Sequence, residues 1–430
     1  MEPKWGILGP EFLPNSRRVR TLGLGETVRS FNDLAVPGLG GVWYCKQLML
    51  AALGVAVTEE AQSRGARVQN IEVANAIEAL ACWLAFNSNG WRNDARLRGN
   101  TKLRGVVDFS FKRARQRNFY VTQPMRMATT QALPALGFVD SDSARFNAFQ
   151  CSDSNRTVVE EFTKAYRPHK RGVIDHLARW VLGESDKLKT DELRLALSPL
   201  IPLSDQAMPL LRERLIQGGK ESPEDKERRC KALAWVETLR NAGPVRALWR
   251  QRPDEISEKH WKDLHAGAMF FEARDAAIAV LNAAETYIGN QKTVRSLSTK
   301  ARLPQVLVSE LEKLISAATN YLAFGHADAD AKEFCSECVK DSPVSILRSL
   351  VYRDQIVLRI VGDEIKPGPA FRGSVSPGVT DEGDLETPKA SEIPLPVGVS
   401  YRMRNLYLLN LDMHGELDQW LKPSTSEEEA

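Results

Sequence analysis

The stretch at residues 70–86, NIEVANAIEALACWLAF, is apolar almost all the way round a helix, and Ile71, Ala74, Ile77, Ala81 and Leu84 form its strongest face. A helix with no polar side belongs inside a protein, so this segment predicts a buried helix. Much of the remaining chain keeps the helical period. An apolar helix is expected over 42–57, two helices over 155–183 with a break at Pro168, and two amphipathic helices between 186 and 250 separated by QGGKESPEDKERR. In the last of these Ser222 is placed to cap and Pro223 to occupy the first turn. Leu193, Leu195, Leu197, Cys230, Leu233, Ala234, Val236 and Leu239 are the expected core positions of this pair. Longer alanine-rich helices follow at 260–289 and 303–324. The period changes at residue 355, where QIVLRIVGDEIKPG clusters β-branched residues about a tight turn at Gly362-Asp363. A second strand-like run, YRMRNLYLLNLDMHG, spans 401–415, and a short helix is expected at 416–421. The fold class predicted is mainly α with small β elements.

At roughly 100–200 residues per domain, a chain of 430 residues holds two to four domains with ample core and needs no disulfide or metal staple. The expected division is an N-terminal helical and loop segment (1–69), a domain with a basic face (70–166), a helical domain (167–350), a C-terminal β-containing segment (351–422) and a disordered acidic tail (423–430). Residues 372–398, rich in Pro, Gly, Ser and acid, are expected to form a mobile loop. Cys45, Cys82, Cys151, Cys230, Cys335 and Cys338 are scattered, several within apolar runs, as buried thiols of a reducing compartment would be. The longest apolar stretch, 48–57, is about half a membrane span, and no export signal opens the chain. The expectation is a cytoplasmic protein without a membrane partner.

The net charge of +3 conceals an asymmetry. Between residues 91 and 130, ten lysines and arginines face two aspartates, a local charge of +8 that leaves −5 on the rest of the chain. A block of one sign against a mildly acidic remainder has the form of an electrostatic footprint for phosphate. Phe109, Phe111, Phe119 and Tyr120 interleave with Lys112, Arg113, Arg115 and Arg117, so the rings are placed either to stack on bases or to anchor the segment in the core.

The run that follows, YVTQPMRMATTQALPALGFVDSDSARFNAFQC, reads as a helix and then a hairpin. Thr122 is placed as the N-cap, Pro124 in the first turn, and Met125, Ala128, Ala132 and Leu136 on one face. Pro134 shortens the helix by removing an N–H and crowding the Thr130 carbonyl. Gly137 supplies a left-handed end, Phe138 and Val139 begin a strand, and the polar 140–143 turn leads into the alternating 145–148. Arg126, Thr130 and Gln131 lie on the helix face opposite the apolar stripe, where side chains reach phosphates or base edges. Over 70–152 this order of elements resembles the winged helix-turn-helix superfamily. The resemblance implies DNA binding, as in most members, or protein docking, as in many, and carries no catalytic residues. The helical second half is similar in texture to accessory proteins of prokaryotic mobile and anti-phage loci.

Other patterns offer competing chemistry. Gly23-x-Gly25 and Gly38-x-Gly40-Gly41 lack the Lys-Ser/Thr pair and preceding strand of a phosphate loop and read as turn glycines. Arg171 and His176 have the Arg-x4-His spacing of HEPN ribonucleases, or are a surface arginine and a half-buried histidine. His326, Asp328, Cys335 and Cys338 are donor types that zinc accepts, or ordinary thiols beside a helix junction. Asp354, Glu364 and Lys366 mimic the carboxylates and lysine of metal-dependent nucleases. The leading expectation is a non-enzymatic DNA-binding or DNA-sensing subunit of a larger prokaryotic complex in anti-phage defence, using no cofactor or metal. It contacts duplex phosphates through Lys112, Arg113, Arg115, Arg117 and Arg126, with Thr130 and Gln131 at base edges. The alternatives are an accessory protein that bridges an ATPase or nuclease partner without touching DNA, and a metal-dependent or HEPN-like nuclease.

Overall fold

The computed structural model describes residues 20–243, 245–291, 295–340, 342–373 and 393–421. The protein is mainly helical with small antiparallel sheets. Its contacts divide it into two units, a smaller one of Met1–Val28 with Met269–Leu385 and a larger one of Arg29–Ala268 with Glu386–Ala430. Neither unit is continuous in sequence, and the expected borders near residues 70, 167 and 351 fall inside them. The expected acidic tail and most of the expected 372–398 loop lie outside the described residues. Among the described residues no helix is long and apolar enough to cross a membrane.

The larger unit is built on two helices, Cys45–Ser63 and Asn70–Asn89. The second is the predicted buried helix, with Val73, Ala74, Ile77, Leu80, Ala81 and Phe86 almost wholly removed from solvent. Its start is fixed by a capping box in which Gln69 and Glu72 exchange side-chain and backbone hydrogen bonds. Its end is fixed by Gly90 in the left-handed conformation. The helix Asp153–Thr163 and the helix Val173–Val181 pack on Cys45–Ser63, and Tyr401–Met413 packs on Pro223–Ala242. Ser222 accepts from the Asp225 N–H and Pro223 opens that helix, as its sequence predicts. Within it Ala234 is exposed and Cys230 is only half-buried, so the core stripe is narrower than expected.

The two central helices approach so closely at Gly54 that a Cβ there would lie 2.7 Å from Ala74 Cβ and 2.8 Å from Ala74 Cα. Replacing a helical glycine with alanine ordinarily stabilises by roughly 0.5–1 kcal/mol. Overpacking at this contact costs about 1–3 kcal/mol and outweighs that gain. Gly54→Ala is therefore expected to lower the melting temperature followed by tryptophan fluorescence, and a raised melting temperature would show that the helices have room.

The run 401–415 is the helix Tyr401–Met413 and not a strand. It contains no valine, isoleucine or threonine, while leucine, methionine and arginine are good helix formers, and Ser400 caps it by accepting from the Arg402 N–H. The segment after it makes a single 3-10 turn, Leu417–Gln419.

In the smaller unit the helices Gln305–Phe324, Ala329–Glu337 and Pro343–Asp354 accompany a three-stranded antiparallel sheet. Leu358–Val361 and Glu364–Pro367 form the predicted hairpin, turning at Gly362 with φ 63°, and Leu297–Ser298 pairs on the far side of Glu364–Pro367. Phe270 meets Tyr321 and Phe334 edge-on in its core.

Candidate nucleic-acid interface

The basic segment lies on the larger unit as irregular chain with two single turns, Asn100–Leu103 and Phe111–Ala114. Its aromatic rings decide how it is held. Phe109 packs 4.8 Å from Trp83 and 5.3 Å from Phe119, and its carbonyl accepts from Trp180 Nε1 at 3.1 Å. Phe111 meets the same Trp180 edge-on. Tyr120 is buried and its hydroxyl donates to Glu78 Oε2 at 2.7 Å. The rings are anchors in the core, so Phe109, Phe111 and Tyr120 present no face on which a base could stack.

With the rings turned inward, several of the cations face solvent, while Arg96 is buried against Asp94 and Asp418. Lys112, Arg113 and Arg117 are exposed and form no ion pair among the described residues. Lys102 Nζ donates to the Asn118 carbonyl at 2.8 Å, which places it beside Arg117. The Arg104 guanidinium lies over the Trp91 ring, next to Arg92. Of the two acids in this segment, Asp94 pairs with Arg96 at 2.8 Å, and the Asp108 carboxylate accepts from the Ser110 N–H, which together with Arg113 holds it below its usual range.

The other expected contacts are engaged by neighbouring residues of the fold. Arg115 Nε donates to Glu72 Oε1 at 3.0 Å and its guanidinium lies over Phe111. Arg126 is partly buried, donates to Asn75 Oδ1 at 2.5 Å and covers the Phe146 ring. The Thr130 hydroxyl donates to the Arg126 carbonyl. Gln131 uses both ends of its amide, Nε2 donating to Asp33 Oδ1 and Oε1 accepting from Arg402 Nη2. The structure thus brings Lys112, Arg113 and Arg117 together at the surface and engages Arg115, Arg126, Thr130 and Gln131 in internal contacts. Arg92, Lys102 and Arg104 are exposed as well and belong to the +8 block of the sequence.

No known protein family, curated protein or solved structure matches this chain.

The expected helix from Thr122 is two single turns, Arg126–Thr129 and Ala132–Ala135, with Thr122 outside them. Met125, Ala128, Ala132 and Leu136 are nevertheless buried as one face, and Thr130 and Gln131 keep right-handed helical angles between the turns. Two hydrogen bonds of a continuous helix are missing for physical reasons. Pro134 has no N–H for the Thr130 carbonyl, and the Ala128 carbonyl accepts instead from the Gly41 N–H at 3.0 Å. The hairpin is a two-residue ladder, Val139–Asp140 with Gln150–Cys151. Asn70 Nδ2 donates to the Phe146 and Phe149 carbonyls, fastening this loop to the start of the buried helix.

The competing motifs also have definite places. Gly38 and Gly40 take left-handed angles in a tight turn packed against Ala135 and Ala128. Arg171 is exposed, whereas His176 is wholly buried with Nε2 against the Lys187 carbonyl at 3.1 Å and its pKa lowered by burial. Asp328 caps the Ala329–Glu337 helix, and burial pushes the Cys335 and Cys338 thiols up to about 12. Among the described residues no three of His, Cys, Asp or Glu are grouped to hold a metal. Glu364 pairs with Lys366 at 2.8 Å on what is the central strand of its sheet, while Asp354 is buried beside Arg20.

Proposed function

We propose that the chain is a non-enzymatic DNA-binding subunit that contacts the phosphates of a duplex through the surface of Arg92, Lys102, Arg104, Lys112, Arg113 and Arg117. The observation that carries this reading is the division of labour in the segment: buried rings fix the backbone, and Lys112, Arg113 and Arg117 between them are left exposed without ion pairs among the described residues. Such cations release counterions when they meet a polyanion, which supplies affinity without reading sequence. A second reading, an accessory protein that bridges partner subunits, is supported by a different surface of the larger unit. There Val245, Leu248 and Val397 are exposed, and Trp249 Nε1 donates to the Val397 carbonyl, bringing the two segments side by side.

Equilibrium binding to duplex DNA across a salt series tests the first reading. Affinity is expected to fall steeply with salt, and Lys112→Ala/Arg113→Ala/Arg117→Ala to flatten the log–log slope by about 0.9 for each phosphate that is no longer neutralised. A wild-type protein that leaves duplex DNA unbound at low salt would remove the proposal.

A further inference from the structure

We infer that the cationic turn at residues 167–171 is a second phosphate anchor of the same surface, an inference that rests on the DNA-binding reading above. The turn, RPHKR, is built rigidly. Pro168 is buried, Lys170 N–H donates to the Arg167 carbonyl at 2.8 Å and Arg171 N–H to the Pro168 carbonyl at 3.1 Å. His169 and Lys170 hold left-handed backbone angles, φ 50° and 65°, which residues with a Cβ adopt only where surrounding structure enforces them. The Lys170 and Arg171 side chains therefore leave a fixed turn, are exposed and form no ion pair among the described residues.

A continuous series of contacts joins this turn to the arginine-rich segment. The His169 ring stacks on His176, whose Nε2 meets the Lys187 carbonyl. Two residues on, the exposed Lys189 places Nζ 4.8 Å over the Trp83 ring, and Trp83 packs against Phe109 within the basic segment. Of the acids nearby, Asp175 pairs with Arg64 and Arg179, Glu184 pairs with Arg179 and Glu192 accepts from the Arg167 N–H, while Asp186 is exposed and forms no ion pair among the described residues. His176 thus acts as the strut between two cationic stretches, which gives the Arg-x4-His spacing a positioning use. A duplex backbone, a long regular array of phosphates, is the ligand that two separated rigid anchors fit.

The test compares Lys170→Ala/Arg171→Ala with the wild type and with the Lys112/Arg113/Arg117 triple variant on one duplex over a salt series, with tryptophan-fluorescence melting to verify folding. The double variant is expected to reduce affinity about tenfold or more at about 0.1 M salt and to flatten the slope by about two. Lys170→Arg/Arg171→Lys is expected to retain binding. Wild-type affinity and slope in the double variant, with binding weakened in the triple variant, overturns the second anchor and leaves the first reading standing. Absence of wild-type binding overturns both.

Discussion

Replacing Arg20 with alanine is expected to destabilise the smaller unit by about 3–5 kcal/mol, the cost of leaving buried charge without its partner. The Arg20 side chain is almost wholly buried, and among the described residues its guanidinium meets three groups. It donates to Asn282 Oδ1 at 2.5 Å, pairs with Glu285 Oε2 at 3.0 Å and lies 3.6 Å from Asp354 Oδ2. Both carboxylates are closed to solvent, and each also organises backbone. Glu285 Oε1 accepts from the Arg372 and Gly373 N–H groups, and Asp354 Oδ2 accepts from the Leu358 N–H at the head of the hairpin. Burial already holds Asp354 above its usual range, with Arg20 the main charge pulling it down and Glu285 opposing. Without Arg20 the Asp354 carboxyl, already raised by burial, protonates still more readily in the folded state than in the unfolded one. The deficit is therefore largest at neutral pH and shrinks as pH falls towards the ordinary carboxylate range. The tryptophans among the described residues all lie in the larger unit, so the readout is hydrogen exchange in Pro343–Asp354 and Leu358–Val361. Unchanged protection there in Arg20→Ala would mean that the cluster is open to water.

The helical skeleton is legible because its signals are local. The all-round apolar 70–86 run, the Ser222-Pro223 start and the Gly362-Asp363 turn each carry their own cause within a few residues. Most of the failures originate in contacts from distant sequence. The 120–136 helix loses one bond to Pro134, which the sequence shows, and another because Gly41, remote in the chain, takes the Ala128 carbonyl. Arg126 and Gln131 look like part of a recognition face in the sequence and Arg115 like a phosphate contact, but Asn75, Asp33, Arg402 and Glu72 claim them, and no spacing rule announces those partners. The charge block at 91–130 is visible in the sequence as a total. Which of its cations remain at the surface depends on which way Phe109, Phe111 and Tyr120 turn, and that is a property of the Trp83 and Trp180 environment. Lys187 and Lys189 carry no signal, since nothing near them in sequence links them to the basic segment. The apolar clustering of 401–415 suggests a strand, whereas its lack of β-branched residues is the cue that points to a helix.

Glu78→Gln is expected to change the pH dependence of the larger unit by about 3 kcal/mol. Glu78 sits mid-helix with no exposure, and its Oε2 accepts from the Tyr120 hydroxyl. Burial raises its pKa from 4.5 to about 7, against the opposing pull of the Tyr120 hydroxyl, Arg126 and Arg98. Between pH 4.5 and about 7 the folded state keeps a proton that the unfolded chain has released. Stability from this group therefore falls as pH rises through that window and levels off above it, at about 1.4 kcal/mol per pH unit. The wild-type curve alone does not isolate this, because burial lowers His260 to about 4 and its contribution rises between pH 4 and 6.5. Lys46, lowered by burial to about 7, adds a further rise above that value. The difference between wild type and variant cancels both. A glutamine keeps an acceptor for Tyr120 and has no proton to lose, so the wild-type-minus-variant difference in unfolding free energy should decline across pH 4.5–7 and be flat on either side. Urea titrations followed by tryptophan fluorescence from about pH 4 to about pH 8.5 measure it. A difference that is constant across this range would show Glu78 titrating as a solvated acid, and the cluster beneath the arginine-rich segment would then be wet. Because Tyr120, Arg98 and Arg126 all belong to that segment, a dry cluster means that the surface cations are mounted on a support whose internal charge changes near neutral pH.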